Sequence, residues 1–330
     1  MKHQTKVMAT LTLEQCADTR LLSSLCAAGM KGVRINSAHV TPIQLETMVH
    51  TLRSQAPDVT ILMDTKGPEL RTAANINGSD LQLTKDSVVQ ISDSVRFCTP
   101  DTICIPIPEV TQSLTQGIEL IIDDGEIHLQ MLSPTQAVVT KSGVLGERKS
   151  VNLVGCEMPQ LPAVSKRDRI NLHAAAKLGI DIVAHSFVRS ADDIQAVRSE
   201  LTDPSIKLLA KVETRLAVEN LESITQSADG LLVARGDLGT QISPYAIPSV
   251  QRRCAKLCRD NSKSLIIATQ ILQSMMHSPE PTRAELSDIA LGTWQQADFM
   301  LLCGETAQGS YPVECVRAVA STILNSQSYE

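Results

Sequence analysis

The sequence predicts an α/β protein: a closed (β/α)8 barrel with a small all-β lid domain inserted after the third strand. Three observations carry this. Eight short runs rich in Val, Ile and Leu recur along the 330 residues, as parallel strands covered on both faces require. Segments with helical spacing of apolar residues separate them. One long interval breaks that rhythm with short strand-like runs and hairpin turn signals. Strand and helix alternating eight times is the pattern of a TIM barrel. An open doubly wound sheet is the structural rival, and it would not require the count to stop at eight.

In order, the strand runs are Lys6–Leu11, Gly32–Asn36, Val59–Asp64, Ile180–Phe187, Ile206–Glu213, Gly230–Asp237, Ser264–Gln270 and Phe299–Glu305. Helical spacing marks Leu13–Ala28, Arg167–Leu178, Ala191–Leu201, Arg215–Ser227, Ile247–Asp260, Ala284–Gln296 and Pro312–Asn325. Between the third and fourth runs lie Leu81–Leu83, Val88–Ile91, Thr102–Ile107, Gly117–Ile122, Ile127–Leu132 and Ala137–Lys141, with Asn77-Gly78 and Asp124-Gly125 as turns. The expected domains are therefore a barrel of residues 1–71 and 157–330 and an inserted β-rich domain of residues 72–156. An insertion after a barrel strand emerges at the C-terminal face, where active sites of this fold sit, so it is expected to act as a lid.

Composition narrows the function classes. A net charge of -6 and 2% aromatic residues give neither the basic face nor the stacking platforms of a nucleic-acid binder. Nine cysteines without C-x-x-C spacing read as reduced thiols. Cys254 and Cys258, one helical turn apart, could be half a metal site but more often mark a helix face in the core. The N-terminal stretch has too short an apolar run for a signal peptide, and no run reaches membrane-spanning length. A cytoplasmic protein is expected. Walker A, H-E-x-x-H and Rossmann patterns are absent, so any phosphate chemistry must use charged side chains and metal.

Candidate chemistry collects at the strand ends. In Ile206–Ala217, Lys211 and Glu213 are two residues apart, which on a strand puts both side chains on one face. Alone, the pair could be a surface ion pair worth little. The other runs end likewise in Arg34 and Asn36, Asp64 and Thr65, Arg235 and Asp237, Thr269 and Gln270, and Glu305. Barrel chemistry is built from the ends of several strands, so these residues are expected to converge on one mouth. Glu213 and Asp237 on neighbouring strands suit a magnesium-like ion that keeps waters and binds substrate oxygens. Arg34 and Lys211 supply positive charge for a phosphoryl group and for an enolate or alkoxide.

Ten segments then carry a resemblance: RINSAH (34–39), DTKGPELRT (64–72), DDGEI (123–127), SVNLVG (150–155), LPAVSKRD (161–168), AKVET (210–214), VARGDLG (233–239), ATQILQSM (268–275), PTRAE (281–285) and CGETAQGSYP (303–312). In this order they resemble the pyruvate kinase family over nearly the whole chain. The resemblance implies the same barrel and inserted lid. It implies that Lys211 stabilises the transferring phosphoryl group and the enolate, that Glu213 and Asp237 hold Mg2+ or Mn2+, and that Arg34 contacts phosphate. Gly236 and Asp237 amides with the Thr269 hydroxyl would hold the substrate carboxylate, and Thr269 and Cys303 would lie near the carbon that is protonated. Asn36, Asp64 and Thr65 would contribute to a K+ site, with Glu69 where K+-dependent members carry Glu. Arg34, Asn36, His39 and Lys149 would face the nucleotide.

The chain departs from that family in four places. It ends after the eighth βα unit, without the family's C-terminal effector domain, so sugar-phosphate regulation there is not expected. Thr10-Leu11-Thr12-Leu13 stands where the family has Ile-Gly-Pro after its Thr, and the tyrosine following the second strand is absent from Val40–Leu45, so adenine is expected to bind more weakly. Ala38 replaces a serine of the K+ site, and Cys303 replaces a serine implicated in proton delivery, a thiol being the weaker donor. The expected function is glycolytic phosphoryl transfer from phosphoenolpyruvate to ADP, giving pyruvate and ATP. The alternatives are pyruvate or oxaloacetate enolate chemistry without a nucleotide, and a non-catalytic metabolite sensor. Expected partners are these small molecules, with no nucleic acid or membrane, and a homo-oligomer through the barrel as a further option.

Overall fold

Strand-helix alternation begins at once in the computed structural model, which describes residues 4–38, 40–108, 110–155 and 161–328. The first stretch runs β1 (Lys6–Thr10), α1 (Leu13–Ala17), α2 (Thr19–Ala28), β2 (Met30–Asn36), α3 (Pro42–Gln55) and β3 (Thr60–Asp64). The single helix expected over Leu13–Ala28 is broken at Asp18. That residue leaves the helical region and its carboxylate accepts from the Arg20 and Leu21 amides, capping α2. Helix α3 was not among the expected elements. Thr41 and Gln44 form its capping box, and Pro42 takes its first turn.

Nine short strands follow: β4 (Leu70–Arg71), β5 (Leu81–Leu83), β6 (Val88–Ser92), β7 (Thr102–Cys104), β8 (Glu119–Ile122), β9 (Ile127–Ser133), β10 (Gln136–Lys141), β11 (Gly143–Leu145) and β12 (Ser150–Val154). Seven form one sheet in the order β4-β12-β8-β9-β10-β6-β7, and β5 pairs with β11. Inward residues such as Leu120, Ile122, Leu129 and Val139 give this β unit a core of its own. Contacts divide the chain at Gly67/Pro68 and Pro162/Ala163. The β unit begins before residue 72 because β4 pairs with Ser150 and Val151 of β12.

The chain then resumes with α4 (Lys166–Leu178), β13 (Ile182–His185), α5 (Ala191–Glu200), β14 (Lys207–Val212), α6 (Arg215–Glu219), α7 (Leu221–Ser227) and β15 (Gly230–Ala234). It ends with α8 (Arg235–Gln241), α9 (Ile247–Asp260), β16 (Ser264–Ala268), α10 (Arg283–Trp294), β17 (Phe299–Leu302), α11 (Gly304–Ala307) and α12 (Pro312–Ser328). Eight parallel strands close in the order β1-β2-β3-β13-β14-β15-β16-β17. Met8, Leu62, Ile182, Leu209, Leu232, Ile266 and Leu301 fill the interior. Their neighbours Val33, Ile61, Val183, Ala210, Val233 and Ile267 pack outward against the helices. This period of two fixes which way each polar residue beyond a strand points.

Two expected strand ends need correction. Asp237 and Glu305 lie in the first turns of α8 and α11, because β15 stops at Ala234 and β17 at Leu302. At the opposite edge of the barrel a device repeats three times. The carboxylates of Asp181, Asp229 and Asp298 accept from the amides of Ile61 (2.7 Å), Leu208 (2.8 Å) and Leu265 (2.8 Å) on the preceding strand. Each of the three also donates its own amide to the carbonyl of that same residue, which pins the register where the strands begin. Among the described residues, no helix is long and apolar enough to cross a membrane.

Candidate active site

Lys211 and Glu213 point into the C-terminal mouth as their spacing requires. The ammonium lies 2.7 Å from Glu213 Oε1 and 3.2 Å from Asp64 Oδ2, and it donates to Ser186 Oγ at 2.9 Å. Arg34, on β2, donates through Nε and Nη2 to Asp64 Oδ2 (3.0 and 2.6 Å) and through Nη1 to Thr10 Oγ1 (3.2 Å). Its Nη1 also lies 3.7 Å from Cys303 Sγ. Two cations and two carboxylates thus form one buried network. Burial works against the Lys211 charge, but Asp64 and Glu213 outweigh it and hold the ammonium above its ordinary range. For Asp64 burial is likewise outweighed, here by Arg34 and Lys211, and its carboxyl sits below the usual range. Burial pushes the Cys303 thiol up against the opposing charge of Arg34, so it stays protonated at neutral pH.

The oxygen atoms left over are informative. Asp64 Oδ1 is buried and has no hydrogen-bond partner, and neither has the hydroxyl of Ser37, the fully buried neighbour of Asn36. Glu213 Oε2 accepts from the Phe187 amide at 2.8 Å, while Oε1 faces Lys211 closely but outside hydrogen-bond geometry. Asn36 Oδ1 accepts from the Ala38 amide at 3.1 Å and retains a second lone pair. Buried oxygens without partners are costly unless something fills them. The hard oxygens of Glu213, Asn36 and Asp64 are the donor type that magnesium-like and alkali cations take. Among the described residues, no group of three or more His, Cys, Asp or Glu side chains could hold a metal. A magnesium-like ion, which keeps waters and takes one or two carboxylates, needs no such group.

Thr269 sits at φ +67° and Gln270 at φ +52°, a left-handed conformation that costs a β-branched residue about 1–3 kcal/mol. Arg235 holds them there. Its guanidinium donates to the Thr269 carbonyl (3.2 and 2.9 Å), the Gln270 carbonyl (3.0 Å) and Asp288 (2.6 Å). It is a clamp, where its place at a strand end had suggested a member of the site. The Thr269 hydroxyl accepts from the Gly236 amide at 2.7 Å and donates to the Ala268 carbonyl at 2.6 Å. Glu305 is also a clamp: buried, it accepts from the amides of Ile271, Leu272 and Cys303. Replacing Arg235 with Ala is expected to lower kcat at least about tenfold, because Thr269 loses its enforced geometry. Arg235→Lys will not rescue it, since one ammonium cannot serve this fork of acceptors. Wild-type kcat in both variants would remove the clamp from the account.

A cavity of about 440 Å³ opens beside Arg34, Asn36 and Cys303. It coincides with the stretch that departs from the family pattern. Thr12 caps α1 there and forms a capping box with Gln15, whose amide also reaches the Thr306 carbonyl at 2.7 Å. Leu11, Leu13 and Val40 give the cavity an apolar wall, and the described residues lining it are non-aromatic. His39, expected at the nucleotide, lies outside the described residues. Lys149 belongs to the β unit, where its ammonium pairs with Asp123 at 2.9 Å. A larger cavity, about 650 Å³, opens at the other mouth beside Asp181 and Asp298. Those acids serve the backbone amides of Ile61 and Leu265, which gives them a role in strand register.

Sequence reasoning missed His185 and Ser186. Neither appears among the strand ends compared above, although the fourth run carries both beyond its apolar core. His185 is fully buried, and burial pushes its imidazole down to about 4 despite the charges of Asp168 and Asp193. Its unfolded value is near 6.5, so between these values the unfolded chain binds the extra proton. Stability therefore falls as pH drops from about 6.5 toward 4, by about 3 kcal/mol in all from this group. Denaturation midpoints at pH 7 and 4.5 should diverge more for wild type than for His185→Asn; equal divergence would contradict the assignment.

A closed barrel whose C-terminal strand ends gather buried cations and carboxylates belongs with the (β/α)8 barrel proteins that carry a charged site at that mouth. A family model described as the pyruvate kinase barrel domain matches residues 2–316. The chain belongs to the pyruvate kinase family. It is 35% identical over 340 residues to a pyruvate kinase of Geobacillus stearothermophilus, covering 99% of this chain and 57% of that protein. It is 35% identical over 321 residues to one of Leishmania mexicana, covering 93% and 64%. A crystal structure of a pyruvate kinase from Cryptosporidium parvum superposes with a TM-score of 0.90 at 30% identity, covering 99% of this chain and 70% of that one. The chain thus spans about three fifths of the length of these two curated relatives.

Proposed function

We propose that the chain transfers the phosphoryl group of phosphoenolpyruvate to ADP, breaking the bond to the enol oxygen, forming one to the β-phosphate, and releasing pyruvate after protonation of the enolate. The observation that carries this reading is the buried Lys211 ammonium, held charged between Asp64 and Glu213 with Arg34 on the same Asp64 oxygen. Such a preorganised cation stabilises charge that develops on the enol oxygen and the transferring group. Arg34 orients the phosphate. The Gly236 and Asp237 amides with the Thr269 hydroxyl take the substrate carboxylate, in competition with the internal Gly236–Thr269 contact. Cys303, neutral at working pH, and Thr269 would deliver the proton to carbon. Mg2+ or Mn2+ held by Glu213 and Asp237 would supply Lewis-acid polarisation of the phosphoryl and enolate oxygens.

Asn36, Asp64 and Thr65 would hold K+, with the Ser37 hydroxyl as a further oxygen beside Ala38. Family resemblance supports Arg34, Asn36, His39 and Lys149 at the nucleotide, a cytoplasmic setting and small-molecule partners. The capping box at Thr12 favours a second reading, enolate chemistry on pyruvate or oxaloacetate with the nucleotide lost, because that turn stands where the family's adenine loop does. Pyruvate release from phosphoenolpyruvate, followed with and without ADP, separates the two. The kinase reading predicts release only with ADP. Exchange of pyruvate methyl protons by a protein that binds no nucleotide would support the second reading instead.

A further inference from the structure

His185 is the buried ionisable group nearest the site to which the chemistry above assigns no role. It occupies the last position of β13, and by the strand's alternation its ring lies outside the barrel while Ser186 points in. Its Nδ1 is 2.8 Å from Thr65 Oγ1, 120 residues away in sequence. Thr65 Oγ1 also accepts from the Ser186 amide at 3.2 Å, Ser186 Oγ donates to the Thr65 carbonyl at 2.8 Å, and the Thr65 amide donates to the Ala184 carbonyl at 3.0 Å. Lys211 then donates to that same Ser186 Oγ. Four hydrogen bonds therefore lock the ends of β3 and β13 together, and the lock carries both the Lys211 partner and a residue of the proposed K+ site.

Proton counting fixes the tautomer. Thr65 Oγ1 already accepts from an amide and has one proton to give, and His185 Nδ1 is the acceptor beside it. An Nδ1–H ring would leave two buried groups without partners, the Thr65 hydroxyl proton and the Nε2 lone pair. An Nε2–H ring leaves one, and Nε2 is indeed buried without a partner. Asp168 and Asp193 are the nearby carboxylates, with Lys211 and Arg189 the nearby cations.

We propose that His185 is a positioning residue: as the Nε2–H tautomer it receives the Thr65 hydroxyl, and through Thr65 and Ser186 it sets the place of the Lys211 ammonium and the K+-facing oxygen of Thr65. The effect on rate rests on the phosphoryl-transfer reading; the tautomer and the cation response do not. Partners one shell removed from a ligand typically change metal affinity or activity 10–100-fold when lost.

The test compares wild type with His185→Ala and His185→Asn, the latter presenting an acceptor near the Nδ1 position. His185→Ala should lower kcat about 10–100-fold and raise the K+ concentration for half-maximal response by a similar factor, while His185→Asn stays within about threefold of wild type. Two readouts do not need turnover. Nitrogen NMR of the labelled wild-type imidazole should show Nε2–H, and K+, compared with Na+, should raise the melting temperature of wild type and His185→Asn but not of His185→Ala. Equal losses in the two variants, an unchanged K+ response in His185→Ala, or an Nδ1–H ring would overturn the proposal. An inactive wild type with the expected tautomer and K+ shift would instead fault the kinase reading. If His185→Ala fails to fold, the tautomer and His185→Asn still decide.

Discussion

Lys211→Met is expected to lower kcat for pyruvate formation by at least about 10²- to 10³-fold, the cost of removing a preorganised charge from a site that excludes water. The side chain is only 9% exposed, with carboxylates at 2.7 and 3.2 Å. These contacts stiffen the ammonium before substrate arrives, so little reorganisation is left for the reaction itself. Methionine keeps the volume of the stem and loses the charge, and the loss should fall on kcat more than on KM for phosphoenolpyruvate. Lys211→Arg should not restore the rate, because a planar fork cannot reproduce a point charge seated between Ser186, Asp64 and Glu213. A Lys211→Met enzyme within tenfold of wild type would reduce Lys211 to a structural ion.

The largest stability effect is expected at Asp64. Its Oδ2 serves Arg34 and Lys211 together, and its side chain is 2% exposed. Removing one partner of a buried pair leaves the other charge uncompensated, at a typical cost of about 3–5 kcal/mol. In Asp64→Ala Arg34 loses its carboxylate and Lys211 keeps only Glu213, so a loss within that range is expected, read as a lower urea midpoint at an unchanged slope. Asp64→Asn keeps an acceptor and the volume and should lose less. The comparison belongs in K+-free buffer, where cation binding cannot add to the difference. A loss under about 1 kcal/mol would mean that water already compensates these charges.

Local rules made much of this legible. The two-residue spacing of Lys211 and Glu213 was enough to place both in the barrel mouth, because a strand side chain's direction depends only on parity. Apolar runs located all eight barrel strands for the same reason. Termini were harder: Asp237 and Glu305 read as strand ends but begin helices α8 and α11, since backbone direction after a strand is decided by tertiary packing. Helix α3 went unread although Thr41-Pro42 and Gln44 spell a capping box. In the β unit, β4, β11 and β12 escaped notice because short strands are defined by partners, here β12 for β4, β5 for β11 and β8 for β12.

Roles were less legible than positions. Arg235 and Glu305 share residue types with the site yet clamp its loops, and only hydrogen-bond partners distinguish the two uses. His185 acts on Thr65 across 120 residues, a pairing no local pattern encodes. Its presence, with Ser186, at the end of the fourth run was nevertheless a visible signal.

The most direct test of the central claim is phosphorus NMR of the protein with phosphoenolpyruvate, ADP, Mg2+ and K+, with Lys211→Met as a parallel sample. The account predicts that wild type converts the phosphoenolpyruvate and ADP signals into those of ATP while the variant leaves them nearly unchanged. Persistence of both substrates at high wild-type concentration, or equal ATP formation in the two samples, would contradict it.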